Sequence, residues 1–520
     1  MKKIKKRKFF LVGIVAIIYV IAIIAICRCV GTDSDKANHL LQAYDILNGN
    51  VFLKDWNLTG VTFLTTDLLY YEIAELFFGI SYKSIYVAGG LMISSVLMIS
   101  FIAADYGQEE HKILKKILCV LLLAIPCKEL VSHFRVHTGA VFLSIFSYIL
   151  YYCIVKEKKY LRRYFISLFI VLFMGTIGDL LLVIIAAIPI VLCCLYRLAQ
   201  GEKKDGYIYL KIAIISIGAV LGGFVFQKLY LWIGKANLNS YIGNQNFATV
   251  DQWPIKFQNF IVSILNMTMA NFGGGRMADI WNLLKGVYFL VLLMAVIFMI
   301  ISINNFLKNE EEDCLSTLLA LGIIMAFLAY LLTDMAQPRY ITLIPIASIL
   351  LVVRNVQWLY EKFNNRKMIS TIVISMAVLG AIGKMHEVLT YEYPTINKSY
   401  AEIIEFLEEH NLKYGYASFW NASNLTVLSE NNVKVRHITK NGPTYEMYNW
   451  FNKNSWYHED TNFVLVNNSS KDLGAMDPFG VSEEGIIQVF GNPSECYEIN
   501  DYIVMVYEKK LSDALSDGEL

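Results

Sequence analysis

What most constrains this chain is a succession of long uncharged apolar runs. The first, residues 9–30, follows directly on the basic leader MKKIKKRK. A cleavable secretory signal has an apolar core of roughly 7–15 residues. This run is longer, so it is expected to remain as a membrane helix. Backbone polar groups in hydrocarbon must find partners within their own segment, which a helix of about 20 apolar residues provides. Further runs at 84–104, 115–130, 136–155, 163–177, 180–198, 209–233, 284–303, 315–332, 340–353 and 368–384 follow. The pattern predicts a mainly α, polytopic membrane bundle of about eleven spans, a few of them shorter than a straight crossing needs. Composition agrees: only 17% of the residues are charged, against about 25% in a soluble domain.

Charge placement orients the bundle. The basic leader puts the N-terminus in the cytoplasm. The cytoplasmic loops then fall at 106–115, 156–163, 197–211, 304–313 and 354–367, and all but 304–313, with its NEEED, are rich in Lys and Arg. A first outer loop at 31–82 and a second at 234–281 follow, and an odd number of spans leaves the tail outside. Residues 1–385 therefore read as a transmembrane domain integral to the plasma membrane. Residues 386–520 read as a small extracytoplasmic α/β domain, from helix 398–410, strands near 413–418, 434–439 and 462–466, and a hairpin over 495–508. The tail lacks GxGxxG, GxSxG and HExxH, and the glycines at 273–275 lack the Lys and Ser of a phosphate loop. Net charge is +1, and no basic stripe with interleaved aromatics points to nucleic acid. The nine Cys lie mostly in apolar runs and read as buried thiols.

The segment after the first span, GTDSDKANHLLQAYDILNGN, carries Asp33, Asp35 and Asp45. Thr32 to Ser34 predict a helix start, and Gly49 ends the helix. Asp35, His39 and Gln42 then share one face. Asp33 reads as the cap. For Asp35, a complement to the helix dipole stands beside a functional role. Ionisable residues at membrane depth are costly, and here they gather on one side. Asp33, Asp35, His39 and Asp67 precede the second span; Glu129, His133, Arg135 and His137 lie between the third and fourth; Asp179 and Arg339 stand at later span starts. Helix capping explains Asp179 alone, and interfacial anchoring explains HFRVH alone. Jointly the residues form a mixed acid–base layer on the outer face. Such a layer suits chemistry in which a carboxylate takes a proton from an acceptor hydroxyl and cations receive a phosphate leaving group.

The acidic first loop, its continuation TFLTTDLLYY, the loop SHFRVHTG, the helix start GDLLLVIIAAIP, the entry PRYITLIP and the tail segment EEHNLKYGYASFWNASNLTVLSE together resemble the GT-C superfamily. These are multi-spanning glycosyltransferases that use polyprenyl-phosphate sugars. The resemblance implies inverting transfer of a sugar from such a donor to an extracytoplasmic acceptor: a lipid, a glycan, a wall polymer or a protein. It implies Asp35 as the base, with Asp33 as second choice, and Asp67 as a further first-loop acid. His133, Arg135, His137 and Arg339 would contact donor phosphate, and His39 and Asp179 join them by placement. Glu129 stands where no DxD is found, so transfer without a metal or other cofactor is expected. Two other readings remain: a polysaccharide-lipid transporter or flippase, and a non-catalytic assembly protein whose outer domain binds partners. Cutting the chain near Lys384 is expected to abolish function under the assembly reading and to spare some transfer under the enzymatic one.

Overall fold

The computed structural model describes residues 2–201, 205–238, 246–310, 313–334, 336–363, 365–390, 396–467 and 479–515. Among these, nine helices are long and apolar enough to cross a membrane. Two further apolar runs expected as spans form shorter helices, Lys112–Leu123 and Val183–Ala199. The helix Gly206–Gly234 turns Ile214, Leu221 and Val225 outward. Apolar side chains on the outside are at home only in lipid.

Helix Ser34–Leu47 leaves the first span and lies under the tail. Its N-cap is Asp33, which accepts from the Lys36 backbone N–H at 3.2 Å. Its first ten residues, Ser34 to Ala43, are all buried, although many are polar. The cause is a tail helix, Phe419–Leu428, that packs on it. Ser34 donates to the Phe419 carbonyl at 2.5 Å, and Ser423 donates to Asn38 Oδ1 at 2.8 Å. The acidic, aromatic-rich stretch 61–79 forms helix Leu68–Phe78, with Leu76, Phe77 and Phe78 outward and Tyr71 inward. The glycine-rich turn follows helix Trp253–Met267, with Gly274 in the left-handed region.

The tail is a six-stranded sheet in the order Thr444–Met447, Lys434–Asn441, Tyr414–Ala417, Phe463–Asn467, Tyr502–Val506, Glu495–Ile499. The three strands from Lys434–Asn441 to Phe463–Asn467 run parallel, and the outer pairings are antiparallel. Period-two alternation serves both faces. Ala417 and Leu465 pack against Ile403 and Leu425 on one side, while Tyr416 and Val464 pack with Ile486 and Phe490 on the other.

A second, small sheet joins three distant segments. Trp56–Leu58 pairs in parallel with Asn237–Leu238 and antiparallel with Asn452–Lys453. The Asn57 amide donates to Asn452 Oδ1 at 2.8 Å and to Asn454 Oδ1 at 2.7 Å. Asp45 accepts from Trp56 Nε1 at 2.8 Å and from Lys453 Nζ at 3.1 Å. Two strands in isolation are marginal; here each is anchored to a larger body. The tail is thereby fastened to both loops.

Candidate active site

A cavity of about 360 Å³ lies where the first loop, the bundle and the tail meet. One wall is built by loop chemistry. Helix Leu161–Gly178 ends with carbonyls that lack intrahelical partners. The threonine-rich stretch VTFLTTD supplies donors to them: Thr62 Oγ1 to Ile177 O at 2.6 Å, the Phe63 N–H to Gly178 O at 2.7 Å, and Thr65 Oγ1 to Met174 O. The approach is close enough that a Cβ on Gly178 would stand 2.7 Å from Thr66 Oγ1, and one on Gly139 2.8 Å from the Thr66 backbone. This docking sets Phe63 and Asp67 against two helix termini.

Asp67 Oδ1 accepts from the Gly139 N–H at 2.6 Å and so caps helix Thr138–Tyr152 from another segment. Its other oxygen is buried without a hydrogen-bond partner. Burial, then the Asp179 charge, push the Asp67 carboxyl up to about 6, against the pull of the Gly139 N–H. His137 precedes the same helix with φ of 64°, in the left-handed region. Its Nδ1 lies 2.7 Å from Asp179 Oδ2, and Asp179 Oδ1 accepts from the Leu181 N–H at 3.0 Å. The two side chains are 6% and 1% exposed.

Asp35 reaches the cavity from the first turn of helix Ser34–Leu47 and meets Arg339, whose Nη1 is 2.6 Å from its Oδ2. Burial, first, and Asp33 raise the Asp35 carboxyl, opposed by the Arg339 guanidinium. His39 donates through Nδ1 to the Asp35 carbonyl at 2.6 Å, and burial lowers its imidazole to about 4. The neutral ring packs among Phe63, Tyr71 and Phe451. Tyr340 lies between the two pairs, its ring 4.9 Å from that of His137 and 5.6 Å from the Arg339 guanidinium carbon. The His137–Asp179 and Arg339–Asp35 pairs therefore flank one tyrosine.

Other singled-out residues stand back from the cavity. Asp33 keeps 39% of its side chain exposed. Its dense surroundings raise its carboxyl, yet the Lys36 ammonium bound to it outweighs them and holds it below the usual range. Arg135 is buried behind the site, donating to the Gly31 carbonyl, with its stem against Gly89. His133 pairs with Glu129 at 3.1 Å on a partly exposed helix. Of the three basic residues in HFRVH, only His137 lines the cavity, with Val136 beside it.

Among the lining residues that escaped sequence reasoning are Trp450 and Phe451, from the tail. Phe451, at φ 53°, turns its ring onto His39, and His437 Nε2 donates to the Trp450 carbonyl at 2.8 Å. The tail is thus part of the cavity wall, and a cut near Lys384 no longer separates the assembly and enzymatic readings. Leu180, Val183, Ile184 and Phe224 add an apolar part to the lining. Val183 also lines an adjoining apolar groove of about 220 Å³, between helices Val183–Ala199 and Gly206–Gly234. Among the described residues, no three His, Cys, Asp or Glu side chains gather as metal ligands.

The fold is shared with solved structures at low sequence identity. ArnT from Cupriavidus metallidurans, in its apo state, superposes with a TM-score of 0.58 at 10% identity, over 97% of this chain and 99% of that one. Two structures of the Archaeoglobus fulgidus oligosaccharyltransferase are also similar. One, tethered to an acceptor peptide, gives a TM-score of 0.47 at 12% identity, over 88% of this chain and 69% of that one. The other, AglB with an inhibitory peptide and a dolichol-phosphate, gives 0.45 at 10%, over 88% and 70%. No protein-family model and no curated protein matches the sequence.

Proposed function

We propose that the protein is an integral membrane glycosyltransferase, moving one sugar from a polyprenyl-phosphate donor to an extracytoplasmic acceptor. The observation that carries this reading is the cavity itself. It brings two carboxyl groups, Asp35 and Asp179, together with Arg339 and His137 at one face of an apolar bundle, and it shares Val183 with a groove that would take a prenyl chain. The lipid tail lies along that groove, and the phosphate sits between Arg339 and His137, on either side of Tyr340. Arg binds phosphate through two parallel N–H donors.

The acceptor enters from the tail side, past Trp450 and Phe451. Its hydroxyl oxygen attacks the anomeric carbon, Asp35 takes the hydroxyl proton, and the prenyl phosphate leaves on the opposite side, which inverts the sugar carbon. Burial suits Asp35 to the task, because a carboxyl with a raised pKa is the stronger base. For that step Asp35 must give up Arg339, which the arriving phosphate draws away. The cations named here provide charge stabilisation without a metal. The basic leader keeps the N-terminus in the cytoplasm and the tail outside. The acceptor is a lipid, a glycan, a wall polymer or a protein.

The test is transfer from a radiolabelled polyprenyl-phosphate sugar in proteoliposomes. Wild-type protein is expected to transfer, and Asp35→Asn to lose about 10²–10⁴-fold in kcat, the usual worth of a general base. Full activity in a protein carrying both Asp35→Asn and Asp33→Asn would overturn the base assignment.

A further inference from the structure

We propose that His137, oriented by Asp179, is the general acid that protonates the departing prenyl phosphate. The inference rests on the glycosyltransferase reading and adds a proton donor to it.

The imidazole is not needed for the fold in the way its position suggests. A residue preceding a helix commonly spends its side chain on the first-turn N–H groups. His137 makes no such bond, and that task falls to Asp67, which accepts from the Gly139 N–H. The backbone nevertheless holds His137 in the left-handed region, which is uncommon for a residue other than glycine. Such outliers concentrate at functional sites. Its ring is presented to the cavity, with Nδ1 engaged by a carboxylate that is almost wholly buried. A carboxylate on Nδ1 keeps a proton there and leaves Nε2 as the nitrogen that exchanges one. It also stabilises the doubly protonated ring.

The cavity's polarity gives the direction of transfer. Asp35 shares its helix with His39, on which Phe451 of the tail packs, whereas Asp179 leads directly into Leu180, Leu181, Val183 and Ile184. A phosphate on a prenyl chain reaches the His137 end first. When the bond from the anomeric carbon to the phosphate oxygen breaks, its electron pair stays on the phosphate, whose charge grows from one to two. Asp35 and Asp179 line the same enclosure, so a second negative charge is unwelcome there. Arg339 screens that charge but has no proton to give. The proton passes from His137 Nε2 to the phosphate oxygen as that bond breaks. The acceptor oxygen bonds to the anomeric carbon, and its own proton goes to Asp35. After release, Asp35 returns its proton to solvent and His137 takes one up. Asp179 acts through His137 and is a positioning residue.

The groups facing His137 are Asp179 through the Nδ1 contact, Asp67 through the backbone N–H, Tyr340 through its ring, and His39 and Arg339 just beyond. The experiment uses the full chain in proteoliposomes, with a radiolabelled polyprenyl-phosphate sugar and prenyl phosphate as binding probe. His137→Gln is expected to lower kcat by about 10²–10⁴-fold and to weaken the binding of prenyl phosphate by a much smaller factor. Wild type is expected to lose kcat toward high pH, and this fall should be absent in His137→Gln and present in Asp67→Asn. Added imidazole should restore part of the rate in His137→Ala, and Asp179→Asn should lose kcat with the same altered pH profile. Melting temperature separates misfolded variants, and the imidazole response keeps the test decisive if His137→Gln does not fold. The acid role is overturned if prenyl-phosphate affinity falls as far as kcat, or if the high-pH limb survives in His137→Gln. A wild-type protein that transfers no sugar overturns the underlying reading, whereas full transfer by His137→Gln overturns only this one.

Discussion

Removing the guanidinium from Arg339 should cost the protein most where it is least dispensable, under Asp35. Two unit charges at about 4 Å attract by about 4 kcal/mol at an effective dielectric constant near 20. Breaking a buried pair by deleting one partner typically costs about 3–5 kcal/mol, because the other charge is left uncompensated. The Asp35 side chain is 12% exposed and that of Arg339 28%. Water therefore shares part of the load, and a loss of about 3 kcal/mol, at the lower end of that range, is expected for Arg339→Gln. The pH dependence has a definite sign. Burial already holds the Asp35 carboxyl above its unfolded value, and Arg339 is the chief group opposing this. Without Arg339 the shift grows. A carboxyl raised in the folded state penalises folding above its folded pKa, and the penalty vanishes once the unfolded chain is protonated as well. The deficit of Arg339→Gln should therefore be largest near pH 8 and shrink toward pH 4. Asp35→Asn alone should cost less, and the double variant should recover about 2 kcal/mol relative to the sum of the single ones. Reversible unfolding in mixed micelles, read by tryptophan fluorescence at both pH values, measures all four proteins. Additivity within about 0.5 kcal/mol would refute the pairing and the charge argument built on it.

Three further outcomes follow from contacts at the same face. Gly139→Ala drives a methyl group into the Thr66 backbone. Overpacking of this kind costs about 1–3 kcal/mol, so a lower melting temperature is expected, and an unchanged one would contradict the close approach. Asp67→Asn keeps an oxygen for the Gly139 N–H and removes a buried charge whose carboxyl is raised to about 6. The variant should melt higher than wild type at pH 8 and nearly equal to it at pH 4, since the wild-type penalty builds as pH rises from the unfolded carboxylate range and is complete above about 6. Asp45→Ala removes the acceptor shared by Trp56 and Lys453. Backbone amides of residues 448–456 should then exchange hydrogen faster while those of the six-stranded sheet do not change, and equal protection throughout would show the latch to be idle.

The bundle was readable because its signal is local and repeated: each span announces itself in about 20 residues. Asp35, Asp179 and Arg339 were readable for a related reason, since a charge at a span end stands out against its neighbours. HFRVH shows the limit. Three basic residues at alternate positions look alike in sequence, yet His133 turns to Glu129, Arg135 turns to Gly31 beneath the site, and only His137 enters it. Which one turns inward depends on Gly139 and Gly178 admitting the Thr66 loop, a contact between remote segments. Trp450 and Phe451 were invisible for the same reason, because an aromatic pair in a polar tail reads as core until its partner surface is known. The burial of Gln42 and His39 likewise follows from a tail helix that no pattern in the first loop announces.

The small sheet that fastens tail to loop bears on how the protein is made. Asn57 and Asn452, which it brings together, are 395 residues apart. At roughly 5–20 residues per second, about 20–80 s pass between the synthesis of one and the arrival of the other. Through that interval the spans are threaded into the bilayer while Trp56–Leu58 presents an unpaired edge, a surface of the kind chaperones and proteases recognise. Only a chain translated past Lys453 can hide that edge and finish the cavity. Synthesis of the tail and closure of the cavity wall are thus coupled, and a copy terminated before Asn452 keeps that edge exposed.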